Sequence, residues 1–202
     1  AQQALSPPMP PNLFSVHKLT DKLSIIAPFG PDMSQVGGNI GTALLTLAKS
    51  SQDDGWTVAE LSSFQLETIV DLRPNVGICL NVTPNHLDRY ESFHDYALAK
   101  HRLFMNQTPE DVAILNADNE ITASWAEGLR ANVVMFSVTK ELDEGLFLRG
   151  EELICRANGS EKVLTTRGEI FLRGLHNVEN VLAAFAAGLA CEHLEVEGDG
   201  RH

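Results

Sequence analysis

The sequence predicts an α/β fold: a mostly parallel sheet with helices on both faces, plus a small antiparallel β-sheet. Three observations predict it. Short apolar, strand-like runs alternate with stretches of helical spacing along most of the chain. One of these runs, VGICLNV (Val76 to Val82), is continuously apolar, as expected of a strand covered on both faces. A single region, Gly145 to Leu172, abandons the alternation for short strand pieces separated by turn signals.

Taken in order, the first 20 residues contain the proline-rich ALSPPMPPN and read as an extended linker. A single body is expected over residues 21–193. Leu23 to Ala27 (LSIIA) has the composition of a short buried strand, and Gly41 to Lys49 (GTALLTLAK) has helical leucine spacing. Trp56 to Leu61 and Val76 to Val82 are the next strands. A helix then runs from an N-cap at Ser92 to about Asn106. Asp111 to Leu115 is strand, Asp118 to about Gly128 helix, and Asn132 to Phe136 strand. Between Gly145 and Leu172 the pieces LFLR, ELICR, KVLTT and EIFL are split by RGE, ANGS and RGE, which predicts a small antiparallel sheet over residues 145–172, packed on the main one. The Ala-rich stretch from His176 to His193 is a helix, and residues 194–202 read as a polar tail.

With 202 residues and 44% hydrophobic content, the chain is long enough for one ordinary domain with a sizeable core. Its formal charge of −12, from 27 acidic and 15 unclustered basic residues, repels phosphate backbones and anionic lipid. Nucleic acid and membrane are therefore not expected as partners; small molecules are. Any anionic ligand has to be held by backbone N–H groups, a metal ion or a few local cations. Cys79, Cys155 and Cys191 are far apart and form no CxxC pair, so each reads as a core residue in a reducing, cytoplasmic compartment.

The chemistry concentrates at strand ends, since ligands of open parallel sheets bind outside the carboxyl ends of the strands. TVAELSSFQLET runs from strand into Glu60, Ser62, Ser63, Gln65 and Glu67, and the next strand leads into TPNHLDRY with His86, Asp88 and Arg89. Carboxylates and an imidazole at neighbouring strand ends suit a divalent metal beside phosphate, while solvated loop charges would look the same. On SFHDYALAKHRLFMN, Phe93, Tyr96, Ala97, Lys100 and Phe104 share one helical face, with Lys100 inside the apolar stripe. Such a lysine either snorkels, its ammonium at the rim, or has a lowered pKa and reacts with carbon dioxide to form an acidic, metal-binding carbamate. GGNIGT brings two glycines that permit close backbone approach, with Asn39 and Thr42 at what reads as a helix N-terminus, a natural anion site. In HNVEN, Asn177 and Asn180 lie one turn apart and can hydrogen-bond a flat heterocycle, although helix capping by His176 or Asn177 explains them equally well.

In this order, GGNIGTALL, AELSSFQLET, LNVTPNHLDRY, YALAKHRLF, ILNADN and LRGLHNVENVLAA resemble the central domain of the Mur ligases, over about Val36 to Leu189. The resemblance is strongest to the D-glutamate-adding members, through ELSSFQLE. It implies a cytoplasmic, ATP- and Mg2+-dependent, ADP-forming amide-bond ligase of cell-wall peptidoglycan synthesis, acting on UDP-N-acetylmuramoyl-L-alanine and D-glutamate. Glu60, His86 and a carbamylated Lys100 would be the catalytic residues and the magnesium ligands. Asn39, Thr42, Ser62, Gln65 and His86 would bind the UDP substrate, and Asn177 and Asn180 the adenine. Residues 1–20 would be a linker or the remnant of an N-terminal domain.

One stretch departs from the resemblance. Family members carry a GTNGKTT-type phosphate loop, a helix and a strand before GGNIG, whereas this chain reads SIIAPFGPDMSQVGGNIG, with two prolines and neither lysine nor GK[ST]. The phosphate-cradling amides, the neutralising lysine and the magnesium hydroxyl of such a loop have no counterpart here. A non-catalytic remnant or binding domain of the same family is the alternative expectation.

Overall fold

The computed structural model describes residues 14–20, 23–28, 34–39, 42, 43, 46, 56–84 and 89–199. The chain divides into two compact units, residues 1–60 and 61–202.

In the first unit, β1 (Phe14–Thr20) and β2 (Leu23–Pro28) form an antiparallel pair, with Phe14 opposite Pro28. β1 thus lies inside the stretch that its prolines mark as linker, and β2 is the strand expected at LSIIA. The unit also contains a parallel pair, β3 (Ser34–Gly38) beside β4 (Trp56–Glu60), in register from Ser34 opposite Trp56 to Gly38 opposite Glu60. The helix expected over Gly41 to Lys49 lies mostly outside the described residues.

The second unit is built on a six-stranded sheet in the order β10-β9-β8-β7-β6-β5. β5 (Val76–Cys79), β6 (Val112–Asn116), β7 (Asn132–Ser137) and β8 (Gly145–Arg149) run parallel. β9 (Glu152–Ala157) and β10 (Ser160–Thr166) continue antiparallel from β8. The antiparallel region is present, but it extends the edge of the main sheet through β7 and β8 instead of packing on it. Its β9–β10 hairpin turns at Asn158 and Gly159, both with positive φ, the mirror-image turn that matches strand twist.

The strand expected at EIFL does not form. Arg167–Glu169 is a 3-10 turn in which Thr166 and Glu169 close a capping box, and this takes the chain off the ladder. Phe171 beyond it is fully exposed.

Every residue of β6 is buried. By contrast β5, the strand of the VGICLNV run, ends the described ladder with Ile78 37% exposed, so the cover on both faces expected of that run belongs to its neighbour β6. Its side chains alternate between the two faces. Ala113 and Leu115 pack with Cys79, Tyr96, Ala97 and Phe104, whereas Val112 and Ile114 point the other way. Helices α1 (Ser63–Glu67), α2 (Phe93–His101), α3 (Glu120–Trp125) and α4 (Leu175–Asp199) complete the unit. The long α4 lies against β5 to β8 and continues through most of the stretch that reads as polar tail. Ser92 caps α2 as its sequence predicts, accepting from the Asp95 N–H.

His101, at the end of α2, is half-buried edge-on against Trp125, with ring centroids 4.9 Å apart. Burial lowers its pKa below the ordinary histidine value. As pH falls the unfolded chain takes the proton first, so this contribution is complete at neutral pH and is lost as pH drops through the ordinary value of about 6.5. Urea midpoints are expected to fall between about pH 7.5 and about pH 5.5. His101→Phe is expected to flatten that slope, and an unchanged slope would show that other groups set it.

Candidate functional site

β3 and β4 end together, and a glycine makes that possible. Gly38 has φ +121°, and a Cβ there would lie 2.2 Å from the Glu60 carbonyl oxygen. The turn that follows is pinned to the neighbouring strand: the Asn39 N–H donates to the Glu60 carbonyl and the Gly38 N–H to the Thr42 carbonyl, both at 2.8 Å. The first unit therefore gathers Asn39, Thr42 and Glu60 at the carboxyl ends of β3 and β4, with Asn39 and Thr42 exposed and Glu60 half-buried. Glu60 Oε2 is buried and has no hydrogen-bond partner among the described residues. A buried acceptor left unpaired costs free energy, which is the state of a carboxylate that awaits a cation.

In the second unit, Ser62 and Gln65 turn to each other. Ser62 Oγ accepts from the Gln65 N–H at 3.3 Å, and Gln65 Oε1 accepts from the Ser62 N–H at 2.9 Å, a capping box that starts α1. This accounts for part of the polar crowd behind Glu60 without any ligand. Arg102 closes the other end of α1, donating to the carbonyls of Leu66 and Ile69 at 2.9 and 2.7 Å.

Lys100 is half-buried within its apolar stripe. Its Nζ donates to the Asn81 carbonyl at 3.2 Å and lies 5.4 Å from the Tyr96 ring centroid. The neighbouring Cys79 thiol is pushed up to about 11 by burial, so it stays protonated. At the start of α4, Asn177 Nδ2 donates to the Arg173 carbonyl at 2.7 Å, tying the helix to the turn before it, and Asn180 is half-buried one turn further on. Between them burial, with the nearby Asp118 charge, raises the Glu179 pKa. His86 lies outside the described residues. Among the described residues no three His, Cys, Asp or Glu side chains form a metal cluster.

Sequence reasoning missed Asn116, Asp118 and Asn119. Burial alone would raise the Asp118 pKa, but the hydroxyls of Ser137 and Thr139 and the N–H groups of Val138 and Thr139 donate to it and hold it below the ordinary carboxylate range. Asn116 and Asn119 hold the end of β5. The string ILNADN carries all three, but in sequence it shows only a family likeness and a helix start at Asp118.

The family profile of the Mur ligase middle domain matches residues 18–188. The chain belongs to the Mur ligase middle-domain family. Two relatives, each named UDP-N-acetylmuramoylalanine--D-glutamate ligase, illustrate its place among Mur ligases. The protein of Solibacter usitatus is 50% identical over 153 residues, covering 76% of this chain and 34% of its own length. That of Koribacter versatilis is 45% identical over 161 residues, covering 80% and 36%. The chain thus spans about a third of the length of the curated relatives it matches. The fold is shared with solved Mur ligases. MurF from Acinetobacter baumannii superposes with TM-score 0.50 at 18% identity, over 68% of this chain and 31% of that one. The UDP-N-acetylmuramate:L-alanyl-gamma-D-glutamyl-meso-diaminopimelate ligase from Neisseria meningitides superposes with TM-score 0.51 at 15% identity, over 80% and 64%.

Proposed function

We propose that the chain is the middle domain of a cytoplasmic, ATP-dependent ligase that joins D-glutamate to UDP-N-acetylmuramoyl-L-alanine in peptidoglycan synthesis. One observation carries this reading: the 44–50% identity to relatives that bear that name. In the reaction the substrate carboxylate takes the γ-phosphoryl group of ATP, giving an acyl phosphate and ADP. The D-glutamate nitrogen then attacks the acyl carbon and phosphate leaves.

Each predicted site residue has a role in this proposal. As the resemblance implies, Glu60, His86 and a carbamylated Lys100 would hold magnesium, which when bound would neutralise charge on the phosphoryl oxygens. The unpaired Glu60 Oε2 fits that use. Asn39, Thr42, Ser62, Gln65 and His86 bind the UDP substrate, and Asn177 and Asn180 orient the adenine. No helix among the described residues is long and apolar enough to cross a membrane.

The test is a chimera in which residues 36–189 replace the corresponding segment of the Solibacter usitatus relative. It is expected to form ADP and the D-glutamyl product only when both substrates are present. A folded chimera that makes no D-glutamyl product would overturn the reading.

A second reading rests on the stretch APFGPDMSQV, which holds no lysine and no GK[ST]. In it the 202-residue chain by itself is a non-catalytic binding domain of the family. Without amides and a cation for the triphosphate, Mg·ATP is expected to leave its melting midpoint unchanged. A clear upward shift would mean that nucleotide binding here does not need the loop.

A further inference from the structure

Strand β5 leaves the ladder at Cys79, yet the next three carbonyls are each held by a side chain from a different element. Asn116 Nδ2, at the end of β6, donates to the Leu80 carbonyl at 3.0 Å. Lys100 Nζ, on α2, donates to the Asn81 carbonyl at 3.2 Å. Asn119 Nδ2, at the N-cap of α3, donates to the Val82 carbonyl at 3.1 Å. Asn119 also accepts through Oδ1 from the Val82 N–H at 3.4 Å, so it holds both backbone groups of that residue. The same oxygen accepts from the Thr122 N–H at 3.1 Å and starts α3. The clamp is built into the core: Asn116 is 2% exposed and Thr122 fully buried, with Thr122 Oγ1 donating to the Asn116 carbonyl at 2.7 Å.

We propose that Asn119 is a positioning residue for the Lys100 amine: by clamping Val82 it fixes the Asn81 carbonyl against which the amine rests. A primary amine pointed by one carbonyl is presented in one direction. Were it to become a carbamate, its remaining N–H could keep the same acceptor while the new carboxylate points away from it. The inference rests on the proposed function only for what the amine does, not for what holds it.

Asn119 has two duties, and one substitution separates them. Serine is as good an N-cap as asparagine but too short to reach Val82, so Asn119→Ser keeps the start of α3 and removes the clamp. Asn119→Asp keeps the cap and the bond from the Val82 N–H, but cannot donate to the Val82 carbonyl.

The readout is acylation of lysines in the 202-residue chain by acetic anhydride, mapped by peptide mass spectrometry, with exposed Lys140 and Lys162 as internal references. Loss of one hydrogen bond's restraint is expected to raise the Lys100 rate about fivefold in Asn119→Ser and to raise it also in Asn119→Asp, the references staying constant. An unchanged Lys100 rate in both variants overturns the proposal. So does an equal rise at all three lysines, which reports general loosening. If the ligase reading fails, this response persists; if the clamp is wrong, Lys100→Ala still inactivates the chimera.

Discussion

Replacing Lys100 by alanine in the chimera is expected to lower turnover by about 10³-fold, because a group that stabilises phosphoryl charge in a water-poor site acts on the largest single term in catalysis. The geometry allows two causes. As an ammonium, Lys100 secures the Asn81 carbonyl at 3.2 Å and rests near Tyr96. As a carbamate, it supplies two anionic oxygens and keeps one N–H for the same carbonyl. Two further measurements divide these. Acetate or propionate added to Lys100→Ala is expected to restore part of the activity, since a short carboxylate can occupy the space left by the side chain. Lys100→Arg keeps a permanent cation and donor but cannot form a carbamate, so it is expected to be inactive. An active arginine variant together with an alanine variant that no acid rescues would leave Lys100 as a structural cation.

Glu60→Ala is expected to have an effect on turnover of similar size, about 10³-fold, without an accompanying loss of stability. Oε2 is buried and unpaired among the described residues, and a lone buried acceptor costs about 1–3 kcal/mol in general. Removing it is therefore expected to leave the urea midpoint unchanged or raised while ADP formation collapses. Glu60→Gln, which keeps the shape and loses the charge, is expected to be equally inactive. Near-normal turnover in either variant would remove Glu60 from the site. A large loss of stability would instead show that the carboxylate serves the fold.

How far the sequence reaches can be judged from particular residues. Hydrophobic patterning is a local, periodic signal, and it located β5, β6 and β7, the helix capped by Ser92, and the stripe that contains Lys100. The motif strings located the family. Glycine spacing announced the close approach at the end of β3, where Gly38 lies against the Glu60 carbonyl.

Other features needed the folded chain. EIFL reads as a strand because its composition suits one, but a strand also needs a ladder partner, and the capping box of Thr166 and Glu169 leads the chain elsewhere. Ser62 and Gln65, which the resemblance makes substrate ligands, also pair with each other to cap α1, a contact seen only in the folded chain. Which edge β8 to β10 would join depended on pairing Phe136 with Leu146, a choice that alternation alone leaves open.

By itself, then, the sequence determined most of the element types and the membership of the family, since each is encoded in spacing or in contiguous strings, while strand pairing decided which strand lies fully buried. Only the tertiary structure decided what holds the end of β5 and where the Lys100 amine rests. Those hydrogen bonds join residues 36, 37 and 19 positions apart, and contacts at such separations leave no period in the chain that could be read in advance.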